Sequence, residues 1–187
     1  MDNDTELKAL EEKQTSTSEV YKGNLLDVFN DSIFLPNGRA ATREYIKHPG
    51  AVAIVPLTKD GKVIIERQYR YPLGRVITEI PAGKLTNKQE DRLSAAKREL
   101  SEETGYNADS WKYIGDYYPA AAYSDEVITL YLAEDLHKGN QNLDEDEFLS
   151  YKAVPLNELI NEIMSNKIAD GKTVCALLKT AKLVGLL

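Results

Sequence analysis

Apolar positions along this chain change spacing three times, and each change predicts a different kind of element. In residues 20–46 they come in short bursts: Tyr21, Leu25, Leu26, Val28 and Phe29, then Ile33, Phe34 and Leu35, then a return over 40–46. Pro36-Asn37-Gly38 separates the last two bursts, and an Asn-Gly pair tolerates the positive φ of a hairpin corner, so a small antiparallel sheet is expected here. Residues 51–57 are an unbroken apolar run, Lys59-Asp60-Gly61 a turn, and residues 62–68 and 75–80 two more strands, the last ending at Pro81-Ala82-Gly83. Residues 91–104 switch to helical spacing, with Leu93, Ala96 and Leu100 on one stripe, Asp91 as a cap and Gly105 as a stop. Strands are expected over 111–118, 126–133 and 148–154. Helices are expected where Leu156, Leu159, Ile160, Ile163 and Met164 recur, and over 173–183. Residues 137–147 are a polar stretch long enough for a functional loop. The order predicts an α+β fold, a mixed sheet with helices on its faces. Its expected parts are a polar arm (1–18, frayed or briefly helical), a small β-sheet segment (19–47) and a main domain (48–187).

Length and charge narrow the function. At 187 residues the chain suffices for one domain with a small appendage. A net charge of −7 argues against a nucleic-acid or anionic-membrane binder. A small anionic ligand stays open, because a bound divalent cation can reverse the local field. The single cysteine, Cys175, permits no internal disulfide and points to a reducing, cytoplasmic setting. It falls in an apolar run, where packing is its expected role. Residues 1–18 resemble neither a signal peptide nor a membrane span.

The informative chemistry lies in GKLTNKQEDRLSAAKRELSEETGY, residues 83–106. On a helix Glu99 and Glu103 stand one turn apart on the same face, where like charges repel unless something binds between them. A hard cation such as Mg²⁺, taking oxygen ligands from one or two carboxylates and from a substrate's phosphates, would convert that repulsion into affinity. Glu102 and Glu90 add acceptors, and Arg98, four residues before Glu102, can pair with it. A bare glutamate pair would read as a solvated acidic face. This one comes with a glycine-containing loop, a third glutamate upstream, an internal Arg-Glu and a glycine stop.

With those residues the stretch resembles the Nudix box: Glu90, seven residues, Arg98-Glu99-Leu100, then Glu102-Glu103 and Gly105. Two positions depart from the pattern. Six residues rather than five separate Gly83 from Glu90, and Tyr106 takes the final apolar place. The resemblance extends over about residues 20–185 through REYIKHPGAVAIVPL, ERQYRYPLGRVITEIPAGKL, YSDE, LDEDEF and ADGKTVCALL, and is to the ADP-ribose pyrophosphatase branch. It implies an α/β/α sandwich behind the small N-terminal sheet, and Mg²⁺- or Mn²⁺-dependent hydrolysis of a nucleoside diphosphate sugar such as ADP-ribose. Glu99, Glu103 and the Ala82 carbonyl are the implied metal ligands, with Glu90 in support and Arg98 and Glu102 beside the chemistry. It puts the general base in the acidic run, at Glu147 with Glu145 next. Arg70 is implied on the pyrophosphate or terminal ribose. Glu79 is a candidate for ribose hydroxyls or a structural partner of Arg70 or Arg75. Phe29 or Tyr21 is a candidate to stack on a nucleobase, with core packing the expected role of each, and Glu126 completes the substrate candidates. The branch's Ser-Pro-Gly marker is replaced by Ala120, Ala121 and Ala122, so another nucleotide sugar or a dinucleotide is the alternative substrate. An ADP-ribose-sensing protein is a third reading, against which the intact glutamates stand. A homodimer with exchanged N-terminal sheets is the implied assembly, since so small a sheet lacks a core of its own.

Overall fold

The computed structural model describes residues 7–143 and 148–187. By compactness they divide into two units, residues 7–48 with 120–126, and residues 49–119 with 127–187.

The first unit is a three-stranded antiparallel sheet in the order β1 (Lys13–Lys22), β2 (Asp27–Phe34), β3 (Ala40–Lys47). Gly38 at φ 81° makes the β2–β3 corner, as the Asn-Gly pair predicts. Strand β1 begins inside the stretch expected to be an arm. It is exposed along its whole length, so KQTSTSEVYK has no buried face and no alternation by which sequence could reveal it. Its order comes from backbone pairing with β2.

The second unit has two sheets. Strands β4 (Ala51–Pro56), β7 (Ala82–Lys84), β8 (Tyr106–Tyr117) and β9 (Ile128–Lys138) form one, in the order β7-β4-β9-β8, with β4 and β9 parallel and the other neighbours antiparallel. Strands β5 (Lys62–Arg70), β6 (Arg75–Glu79) and β10 (Leu149–Pro155) form the other, in the order β10-β5-β6. Strand β4 is buried on both faces, which is why its residues read as a continuous apolar run. Val52 and Ile54 pack with Ala95, Ala96 and Leu100 of helix α1 (Arg92–Thr104). Ala51, Ala53 and Val55 pack the other way, with β5 and with helices α2 (Leu156–Met164) and α3 (Gly171–Leu183) through Leu159, Leu177 and Ala181. The result is the expected α+β layering, with helices on both sides of a mixed sheet. Strands β8 and β9 run past the core by pairing polar residues, Tyr106 with Lys138 and Asn107 with His137, so both are longer than their apolar pattern predicts.

Candidate active site

Helix α1 starts where sequence places it. The Asp91 carboxylate accepts from the Ser94 backbone N–H (2.8 Å) and hydroxyl (2.7 Å), and these bonds hold its pKa below the usual carboxylate range. The helix buries its apolar stripe, and on the adjoining side Glu99 and Glu103 are buried too, at 9% and 4% exposure. Carboxylates so far from water need compensation. Glu103 Oε2 accepts the Ala82 backbone N–H of β7 at 3.0 Å. Glu99 Oε1 lies 2.7 Å from Arg98 Nη1. The Glu99 carboxyl also lies against the backbone of Gly83, where an added Cβ would stand 1.9 Å from Glu99 Cδ. Glycine at 83 is therefore a matter of space.

Arg98 gathers the box. Its guanidinium contacts Glu99, Glu102 (3.1 Å) and Glu90 (3.4 Å). Burial works against its charge, but Glu99 and Glu102 outweigh that and raise its pKa. Glu90 is held by the Thr86 backbone N–H at 2.6 Å, which is the largest cause of its lowered pKa, and by the Thr86 hydroxyl. This bond closes a turn over residues 86–90, within the loop between Gly83 and the helix. Glu90 thus braces Arg98 and is not among the residues lining the cleft.

That cleft, about 370 Å³, is bounded by Arg70, Gly83, Arg98, Glu99, Glu102 and Glu103 among others. Arg70, at the end of β5, gives its Nε and Nη2 to the two oxygens of Glu79 at 2.7 and 2.9 Å, and this bonding is the main reason its pKa is raised. Glu79 also accepts from Lys172 of α3, and its carboxylate is only 3% exposed. The structure therefore seats Glu79 as an internal partner of Arg70, one of its two expected roles, rather than as an open acceptor.

The segment after β9 docks on the C-terminal end of α1. The amides of Gly139 and Asn142 donate to the carbonyls of Gly105 and Glu102, and the Gln141 side chain donates to that of Glu103. Carbonyls at a helix end need such partners. Gly105, at φ 68°, also lies so near the Gln141 amide that a Cβ there would come within 2.7 Å of it.

Of the residues expected in the site, Ala82, Glu99, Glu102, Glu103, Arg98 and Arg70 come together at this cleft. Glu145 and Glu147 lie outside the described residues. Phe29 and Glu126 belong to the other unit. Phe29 packs against Tyr45 with ring centroids 6.0 Å apart, and the Lys47 ammonium sits 3.6 Å over its ring; Glu126 stands 3.6 Å from His48 Nδ1. Lys172 and Gln141 were not anticipated. For Lys172 a signal was present, a cation in the ADGKT run, whereas Gln141 sits in an unpatterned polar loop.

The donor set suits a hard divalent cation. All the candidate ligands are oxygens, and the space left by Gly83 receives one of the carboxylates. Among the described residues no three acidic, histidine or cysteine side chains form a ready-made cluster. Two carboxylates and a backbone carbonyl would leave coordination positions for water and substrate phosphate, the usual division of ligands for Mg²⁺.

The cleft thus lies along the C-terminal half of a glutamate-bearing helix packed on a mixed sheet. The model of the NUDIX domain matches residues 47–177, and the chain belongs to the Nudix family of hydrolases, enzymes that in general need divalent metal ions. It is 40% identical over 173 residues to the ADP-ribose pyrophosphatase of Bacillus subtilis (strain 168), covering 91% of this chain and 93% of that one. It is 39% identical over 171 residues to the methanol dehydrogenase activator of Bacillus methanolicus, covering 90% and 92%. In fold it is similar to the crystal structure of an ADP compounds hydrolase, with a TM-score of 0.82 at 22% identity over 94% of this chain and 95% of that one.

Proposed function

We propose that the chain hydrolyses the pyrophosphate bond of a nucleoside diphosphate sugar, with ADP-ribose the favoured substrate, AMP and ribose 5-phosphate the products and Mg²⁺, or Mn²⁺, the metal. The observation that carries this reading is one cleft holding both a buried glutamate pair and an arginine with a free edge. Glu99, Glu103 and the Ala82 carbonyl hold the metal. When bound, the metal neutralises phosphate charge and makes a water more acidic. Arg98 keeps the glutamates in place, and Arg70 offers its remaining N–H groups to phosphate oxygens. Glu147, with Glu145 as the alternative, takes the proton from the attacking water. ADP-ribose is preferred because the B. subtilis relative carries that name at 40% identity.

Product analysis of ADP-ribose treated with the protein and Mg²⁺ tests the reading. AMP plus ribose 5-phosphate is the expected result. Absence of turnover alongside cleavage of another nucleotide sugar or a dinucleotide would discard the substrate and keep the family. In the same assay Glu147→Gln should lose most activity, and retention would remove that residue from the base role. The B. methanolicus relative favours a second reading, in which hydrolysis by this chain serves a dehydrogenase. Methanol dehydrogenase assayed with and without the protein separates the two.

The first unit supports a homodimer with exchanged N-terminal sheets. Strand β1 is exposed throughout, and Ile33 is the only apolar side chain among those described in that sheet to be fully inside. A sheet with so little core gains stability by covering a face. Light scattering should give twice the chain mass, and a monomer at micromolar concentration would remove the proposal. No described helix is long and apolar enough to cross a membrane, and the lone cysteine supports a cytoplasmic location.

A further inference from the structure

The ADGKT run at the start of α3 does more than begin a helix. Asp170 caps it, its Oδ2 accepting from the Thr173 N–H (3.1 Å) and hydroxyl (2.6 Å). The Thr173 oxygen in turn accepts the Ile80 N–H at 3.0 Å. Lys172, on the same turn, donates to Asp170 Oδ2 at 3.0 Å and to Glu79 Oε2. One helical turn therefore grips two successive residues, Glu79 and Ile80, of the segment that continues through Pro81 to Ala82 and Gly83 at the cleft. Lys172 is only 9% exposed, and placing an ammonium there is costly unless it is well paired. Its two carboxylate partners satisfy that condition, and one of them, Glu79, also holds Arg70.

We propose that Lys172 is a positioning residue for substrate binding, acting through Glu79 on Arg70. The proposal rests on the reading of Arg70 as a phosphate ligand. Glu79 takes the Nε and Nη2 edge of Arg70, and among the described residues no hydrogen bond is made by Nη1. With its Oε2 pinned by Lys172, the Glu79 carboxylate has one orientation. It therefore fixes the guanidinium plane and leaves the Nη1 edge for a diphosphate oxygen in the cleft. A fork that need not be ordered on binding gives tighter association than a mobile one. Without Lys172 the carboxylate can rotate, and Arg70 follows it.

The test is steady-state hydrolysis of ADP-ribose with Mg²⁺ by the full-length protein and its Lys172→Met, Lys172→Arg, Arg70→Ala and Arg70→Ala/Lys172→Met variants, each checked for folding by its thermal transition. Lys172→Met should raise KM roughly tenfold with kcat within about twofold, since the lost interaction orients a binding group. Lys172→Arg should recover most of the loss. In the Arg70→Ala background Lys172→Met should change KM by less than about twofold, the non-additivity expected of residues acting in one network. An equal effect in both backgrounds overturns the proposal. An unchanged KM in Lys172→Met, while Arg70→Ala raises it, overturns the role of Lys172 and leaves Arg70 standing. An unchanged KM in Arg70→Ala removes the phosphate-ligand reading and the proposal with it. Should Lys172→Met not fold, Glu79→Gln/Lys172→Gln removes both charges together. It should show the same rise in KM, and wild-type KM in that variant also overturns the proposal.

Discussion

Replacing Glu99 and Glu103 together by glutamine is expected to abolish hydrolysis while leaving a folded protein. A bound metal contributes several kcal/mol of charge stabilisation in such reactions, so loss of its two anionic ligands should lower kcat/KM by roughly 10³-fold or more. The accompanying stability change has the opposite sign. Two like charges one helical turn apart, 9% and 4% exposed, repel when no metal lies between them, and that repulsion works against the Arg98 and Ala82 contacts that hold them. Without metal the double variant should therefore melt at or above the wild-type temperature. Mg²⁺ should raise the transition of the wild type and not that of the variant. Turnover close to wild type, with a metal-dependent rise in transition temperature intact, would remove these residues from the site.

The second large effect comes from the smallest substitution. Gly83→Ala places a methyl group 1.9 Å from Glu99 Cδ, well inside any real contact, so the carboxylate has to leave its position. Gly83 is not in the left-handed region, and the backbone itself tolerates alanine. A displacement of about an ångström at a reacting centre can cost on the order of 10² in rate. Turnover should fall by about that factor, with an increase in the metal concentration needed for half-maximal activity. The pair Gly83→Ala/Glu99→Ala should recover any loss of thermal stability but not activity. Wild-type metal dependence in Gly83→Ala would mean that Glu99 does not ligate the metal from where it stands.

Both effects involve residues visible in the sequence, and the reason is periodicity. Glu99 and Glu103 announce themselves because a helix puts them on one face. Helix α1 announces itself by Leu93, Ala96 and Leu100 between Asp91 and Gly105. Strand β4 is legible because a strand covered on both sides is apolar throughout. Strand β1 is illegible for the reverse reason, since neither of its faces is covered. Pairing between distant segments leaves no local mark either. That Lys172 reaches Glu79, 93 positions away, depends on the first turn of α3 lying beside the end of β6, and nothing within the ADGKT run states it. The contacts of Glu79 with two cations leave no local mark either, although partnership with Arg70 is one of the two roles the sequence allows.

The docking of residues 139–142 on the end of α1 carries a consequence for how this enzyme can vary. A chain that supplies the last carbonyls of the glutamate helix with their donors moves as that helix moves. Insertions downstream of Asn142 add slack after the anchor and leave the helix end sealed. A single residue added directly after Gly139 shifts Gln141 and Asn142 out of register with the carbonyls they serve and unseals it. Changes in loop length are therefore tolerated only beyond Asn142.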